Sequence, residues 1–184
     1  MTTPGTNVVI VDAVRTPIGK RNGGLSTMHP GETLGLVQKA LFDRTGVDPA
    51  EVEQVVGGCV SQAGEQAFNI TRTAWLGAGL PLTAAATTVD TQCGSSQQAT
   101  GLAASLIGSG VVDVAVACGV ESMSRIPIGA SGSKKLGLGV PIPKPYFDQY
   151  EMTSQFEGAE RIADKWDITR EDTDAFGLAS QQHA

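Results

Sequence analysis

The stretch Thr87-Thr88-Val89-Asp90-Thr91-Gln92-Cys93-Gly94-Ser95-Ser96-Gln97-Gln98-Ala99 decides how the rest of the chain is read. It opens on a short β-branched run closed by Val89, the pattern of a buried strand. From Ser95 onward, Ala99, Leu102, Ala103, Leu106 and Ile107 recur at helical spacing, which predicts a helix over residues 95–109. Cys93 then falls in a tight strand-to-helix turn, with Gly94 giving room and Ser95 or Ser96 available to cap. A helix start offers partial positive charge and N–H groups without intrahelical partners, and both favour a thiolate. The same N–H groups suit the oxyanion formed when sulfur attacks a carbonyl. A cysteine can also be a small packing residue. The turn and the small neighbours favour a reactive thiol at this position.

Outward from that turn, the chain alternates strands and helices. Residues 7–12, with Val8, Val9, Ile10 and Val11, predict a strand buried on both faces. Arg15-Thr16-Pro17 breaks it, and residues 19–24 read as an exposed loop. Arg15 fits an anion contact and a structural ion pair equally well, whereas Lys20 and Arg21 read as solvated. Leu34, Val37 and Leu41 mark one face of a helix that Gly46 stops, and Asp48-Pro49-Ala50-Glu51 opens a short helix. A second strand is predicted over residues 52–60, with Cys59 in the core. A helix over residues 69–78 carries Ile70, Ala74 and Trp75 and is stopped by Gly79 and Pro81. Residues 87–90 form the third strand and residues 111–118 the fourth, with Cys118 turned into the sheet. This alternation implies an α/β fold with a mostly parallel sheet flanked by helices.

Composition shifts near residue 120. The following thirty residues are rich in glycine and proline, loosest at Ser131-Gly132-Ser133-Lys134-Lys135, and too long for an ordinary connection. The stretch reads as a functional loop region or a subdomain insertion, which sets an α/β domain over residues 1–119 apart from residues 120–184. In the latter, Phe156, Ala159, Ile162, Ala163 and Trp166 share one helical face. Thr169-Arg170-Glu171-Asp172 reads as a capping box before a last helix with Phe176 and Ala179 inward. His29, before a proline, reads as a loop residue, and His183 as a surface one.

The 184 residues suffice to bury a real core, and 41% hydrophobic content with 5% aromatics and 23 glycines suits an Ala/Val/Gly-rich α/β protein. A net charge of −6 argues against nucleic-acid and membrane-surface partners. Three cysteines without close pairing argue against a disulfide framework and for a reducing, cytoplasmic setting. Residues 1–6 lack the basic and apolar segments of a secretory signal, and no run reaches membrane-spanning length. There is no phosphate-loop fingerprint and no Cys/His cluster at metal-ligand spacing, so no metal is expected.

Cys93-Gly94-Ser95-Ser96 after Thr88-Val89-Asp90 resembles the nucleophile turn of the thiolases, which make or cleave 3-ketoacyl-CoA thioesters. Further motifs agree in order: Arg15-Thr16-Pro17-Ile18-Gly19-Lys20, Gly57-Gly58-Cys59-Val60, Gly64-Glu65-Gln66, Asn69-Ile70-Thr71-Arg72, Gly79-Leu80-Pro81, Gly119-Val120-Glu121-Ser122-Met123-Ser124 and Ala159-Glu160-Arg161-Ile162-Ala163. The resemblance covers essentially the whole chain and implies a thiolase-like fold, N-terminal half, with residue 120 onward as the start of a loop domain holding coenzyme A. It implies acyl transfer between CoA thioesters, in which the Cys93 thiolate attacks a carbonyl of the substrate and is acylated. The resulting acyl-cysteine then passes its acyl group to CoA in degradation, or to the α-carbon of acetyl-CoA in condensation. The backbone N–H of Cys93 is the implied oxyanion donor, and Gln155 and Phe156 the implied coenzyme A-facing loop residues. Acyl-CoA and CoA are then substrates, no cofactor is permanently bound, and the protein self-associates to a dimer or tetramer using residues 62–72.

Two departures from the family pattern stand out. The histidine and second cysteine that thiolases take from their C-terminal half have no match here, so that half is expected to be absent and the isolated chain unable to turn over. Asp90 also stands where many thiolases carry asparagine, and a carboxylate there disfavours a thiolate unless it is paired or turned away. Gln92-Cys93-Gly94-Ser95, the doubled Gln97-Gln98, and Gln155-Phe156-Glu157 look most like thiolases acting on steroid side-chain CoA esters. A ketoacyl synthase shares the cysteine-at-helix-start logic, but the Arg-Thr-Pro, Gly-Gly and Val-Glu-Ser-Met-Ser motifs favour a thiolase. A non-catalytic assembly half keeps the same motifs and stays open at this level.

Overall fold

The computed structural model describes residues 7–132 and 137–183; the loose run expected around Ser133, Lys134 and Lys135 lies outside the described residues. The chain divides into two compact units, Met1–Leu138 and Gly139–Ala184. The first contains helix α1 (Pro30–Thr45), strand β1 (Gln54–Gly58), helix α2 (Ile70–Gly77), strand β2 (Ala85–Val89), helix α3 (Ser95–Gly108) and strand β3 (Ala115–Gly119). Short 3-10 turns at Pro49–Glu51, Gly64–Gln66 and Ala130–Gly132 join the connections. The sheet is parallel with order β2-β1-β3, and the register sets Gly58 beside Val89 on one side and Gly119 on the other. The parallel sheet and its flanking helices are those that the alternating pattern implies.

From Val55 to Gly58 the central strand is buried on both faces, which is why those residues are small or apolar. Val55 packs with Phe42, Val52, Trp75, Ala84 and Val116, and Val56 with Ala99 and Ala103 on α3. Trp75 is fully buried, meets Phe42 edge-on at 5.7 Å, and donates its indole N–H to Pro81 O at 2.7 Å. The alanines of α3 let that helix lie close against the sheet. Gly46 ends α1 in the left-handed conformation at φ 71°, as its position predicts.

Two expectations are corrected. Residues 7–12 form no strand: among the described residues they pair with none, and Val9, Ile10 and Val11 are each more than two-thirds exposed. A strand exists only through a paired neighbour, and apolar content cannot supply one. Their end is tied instead by an ion pair from Arg44 to Asp12 at 2.7 Å.

The second unit holds α4 (Tyr146–Gln149), α5 (Gln155–Trp166) and α6 (Arg170–Gln182). Thr169 and Asp172 form the predicted capping box. The apolar faces, however, are not inward. Phe156 and Phe176 are at least 80% exposed and Trp166 is mostly so, because these helices bury no residue. Periodicity marks which face would be covered, not that something covers it.

The carboxyl ends of β1 and β3 are joined by one polar cluster. Glu121 accepts from the backbone of Val60 at 2.8 Å and of Ser61 at 3.3 Å, and from Gln66 Nε2 at 3.0 Å. Fully buried Gln66 also donates to Ser61 O at 2.9 Å and accepts from Ser122 N–H at 2.7 Å. Removing Glu121 strands three donors, so Glu121→Ala is expected to cost about 3 kcal/mol, read as a lower urea midpoint. Glu121→Gln, which keeps an acceptor oxygen, should cost less.

Candidate active site

Among the described residues, Cys93 is the exposed one of three free thiols. It lies between β2 and α3, where the backbone must turn from strand to helix within five residues. Four side-chain bonds hold that turn. Asp90 Oδ1 accepts from Gln92 N–H at 2.7 Å. Ser95 Oγ accepts from Thr91 N–H at 3.0 Å and donates to Gln92 O at 2.6 Å. On the strand side, Thr88 Oγ1 donates to Asn69 Oδ1 at 2.8 Å. Gln92 is thereby held at φ 49°, a left-handed conformation unusual for a side-chain-bearing residue.

The helix start differs in detail from its sequence reading. Neither serine caps α3; Gly94 occupies the cap position without a side-chain bond, and Ser95 serves the preceding turn. The N–H groups of Gly94 and Ser95 are also spent, on Thr91 O at 3.1 Å and Gln92 O at 3.0 Å. The Cys93 N–H has no acceptor among the described residues. The Asp90 carboxylate accepts one backbone N–H of the turn, from Gln92, and enters no ion pair among the described residues.

The other two thiols sit in different surroundings. Cys59, 1% exposed, is pushed up to about 12, chiefly by burial and then by the charges of Glu121 and Asp90. Burial pushes the half-buried Cys118 up to about 11, against a 3.5 Å contact from Gln38 Nε2. Both stay protonated near neutrality and act as packing groups. A cavity of about 750 Å³ lies away from Cys93, between α1, residues 12–21 and β3, with Gln38, Cys118 and Met123 in its wall.

Arg15 donates to Thr16 O and enters no ion pair among the described residues; the pair at that chain end is Asp12 with Arg44. His29 is the cap of α1, its Nδ1 accepting from Gly31 N–H at 3.0 Å, and His183 follows α6 at its C-cap. Gln155 and Phe156 lie in the second unit, on the first turn of α5 rather than on a loop, and both are exposed. No group of three His, Cys, Asp or Glu side chains suited to a metal occurs among the described residues. No helix there is long and apolar enough to cross a membrane. Sequence reasoning missed the left-handed Gln92 and the turn-holding role of Ser95, for which spacing carries no signal.

A parallel α/β unit with a cysteine on the turn between an edge strand and a helix defines the class. Residues 8–184 match the family model described as the thiolase N-terminal domain. The chain therefore belongs to the thiolase family. It is 44% identical over 185 residues to the steroid 3-ketoacyl-CoA thiolase FadA6 of Mycobacterium tuberculosis, covering 97% of this chain and 46% of that protein. With the beta-ketoadipyl-CoA thiolase of Pseudomonas aeruginosa the identity is 38%, over 96% of this chain and 47% of the relative. The crystal structure of the Bacillus anthracis acetyl-CoA acetyltransferase superposes with a TM-score of 0.75 at 36% identity, covering 92% of this chain and 44% of that one. The chain thus spans about half the length of the curated relatives it matches.

The raised thiols give a pH prediction. In the unfolded chain a cysteine gives up its proton near 9.0, while folded Cys59 holds it to about 12. Folding then favours the protonated form, so this contribution is fully present below pH 9 and is lost as the pH rises toward 12. Between pH 9 and 11, urea midpoints of the wild type should fall more steeply than those of Cys59→Ala, by at most about 1.4 kcal/mol per pH unit.

Proposed function

We propose that this chain is the nucleophile-bearing N-terminal part of an enzyme that transfers acyl groups between CoA thioesters, through an acyl-cysteine at Cys93. One observation carries the reading: Cys93 alone of the three thiols is exposed, and its own N–H lacks a partner among the described residues. In the degradative direction the sulfur adds to the 3-keto carbonyl, whose oxygen takes negative charge beside the Cys93 N–H. The bond between C2 and C3 then breaks, its electron pair leaves with C2, and a proton added there gives acetyl-CoA. A CoA thiol next attacks the acyl-cysteine carbonyl, forming the shortened acyl-CoA and returning the sulfur of Cys93. The reverse sequence is condensation.

The proton transfers need an acid and a base, for which the family resemblance points to a histidine and a second cysteine of a C-terminal half. Residues 120–184 are the beginning of the coenzyme A-holding loop domain, with Gln155 and Phe156 on its contact surface. Similarity to the named steroid 3-ketoacyl-CoA thiolase supports lipid or steroid side-chain degradation as the setting. Three free thiols, together with the lack of a membrane-length helix among the described residues, support a cytoplasmic location.

Self-association belongs to the same reading, through the edge of β2 and residues 62–72. Phe68 supports it: the side chain is 96% exposed beside that edge, on a backbone held at φ 55°. An exposed aromatic on strained backbone gains nothing from folding alone.

Limiting iodoacetamide followed by peptide mass mapping tests the nucleophile. Cys93 should be labelled at least about tenfold faster than Cys59 or Cys118, in line with exposed against buried thiols. Equal labelling of Cys59 or Cys118 in the folded chain overturns the assignment. Sedimentation at micromolar concentration checks the interface: the wild type should run as a dimer or larger, and Phe68→Asp should shift it toward monomer.

A further inference from the structure

The first turn of α3 rests on two glycines rather than on side chains. Gly58 and Gly119 are register partners at the carboxyl ends of β1 and β3. A β-carbon on Gly58 would lie 2.5 Å from the Ser95 carbonyl carbon and 2.5 Å from the Ser96 nitrogen, both backbone atoms. One on Gly119 would overlap Ser96 Oγ and stand 3.0 Å from Gly58 O and 3.2 Å from Ser96 Cβ. Contacts below 3.0 Å to backbone force the helix itself to move, since no rotamer change relieves them.

Ser95 carries the consequence to the sulfur. It is 4% exposed on this glycine seat, and its hydroxyl is the group that ties Thr91 N–H and Gln92 O. The depth at which α3 sits therefore fixes Ser95, Ser95 fixes the left-handed Gln92, and Gln92 precedes Cys93 directly. We propose that Gly58 and Gly119 are positioning residues for Cys93, acting through the Ser95 turn by letting α3 seat on the bare ends of the two strands. The proposal rests on Cys93 being the reactive thiol.

Its two glycines differ in what they meet, and that difference is the test. Gly58→Ala strikes backbone and should slow Cys93 alkylation by about tenfold or more, the scale on which misplacing a reacting group acts. Gly119→Ala strikes mainly one hydroxyl and should slow it less. Adding Ser96→Ala to Gly119→Ala removes that overlap and should bring the rate to within about twofold of Ser96→Ala alone. Gly77→Ala on α2, where a β-carbon meets nothing within 4 Å, is the control and should leave labelling unchanged.

Each variant is followed by iodoacetamide mass mapping of all three cysteines and by its urea midpoint. Continued protection of Cys59 and Cys118 identifies variants that remain folded. Slowed Cys93 labelling in folded Gly119→Ala, with recovery in the double variant, supports the proposal. An unchanged Cys93 rate in folded Gly119→Ala, or no recovery on adding Ser96→Ala, overturns it. If Gly58→Ala unfolds, the Gly119 pair decides alone. Loss of Cys93 selectivity in the wild type would instead overturn the nucleophile reading and leave the seating untouched.

Discussion

The structure depends on β1 being covered from every side. Its backbone pairs with β2 and β3, and its two valines face opposite layers, Val55 toward α1 and α2 and Val56 toward α3. A parallel strand in that position has no solvated face, so from Val55 to Gly58 its residues are small or apolar. The same requirement orders the neighbours. Trp75 and Phe42 fill the wider layer, while Ala99 and Ala103 thin the other so that α3 approaches the sheet closely. The turn into α3 is consequently held at the carboxyl end of the sheet, the end where open α/β sheets meet their ligands.

Polar groups at that end have to be satisfied without further strand pairing. Glu121 and Gln66 close the gap between the ends of β1 and β3. At the opposite, amino end of β2, Asn69 Nδ2 donates to Ala86 O at 3.0 Å and the Arg72 guanidinium donates to Ala84 O and Leu82 O. Arg125 binds both oxygens of Glu65 at 2.5 Å and reaches the carbonyls of Ser26 and Thr27, drawing three connections together. The Arg125 guanidinium holds the Glu65 carboxyl below its ordinary range, so this tie persists into mild acid. The Glu121 and Gln66 bonds leave the Cys93 turn projecting from a polar, hydrogen-bonded rim. Depth first, and for Cys59 the nearby carboxylates as well, separates the three cysteines, making two identical side chains packing groups and the third an accessible sulfur.

Much of this was legible in the residues. Parallel strands, the α3 face, the Gly46 stop and the Thr169 capping box follow from local spacing, since strand and helix periods and cap chemistry are properties of a few adjacent residues. Cys93 on a strand-to-helix turn follows from the same local rules, as does its membership of the thiolase family from motifs in order. Whether an apolar run is covered is decided elsewhere in the molecule. Val9, Ile10 and Val11 carry a strand's composition without a partner, and Phe156, Trp166 and Phe176 carry a core face that these helices do not bury. The roles of Gly58, Gly119 and Ser95 also needed the assembled structure. A glycine in sequence permits close approach, but what approaches it lies about 40 residues away for Gly58 and about 20 for Gly119. That distance is spanned only when the strands pair and the helix settles on them.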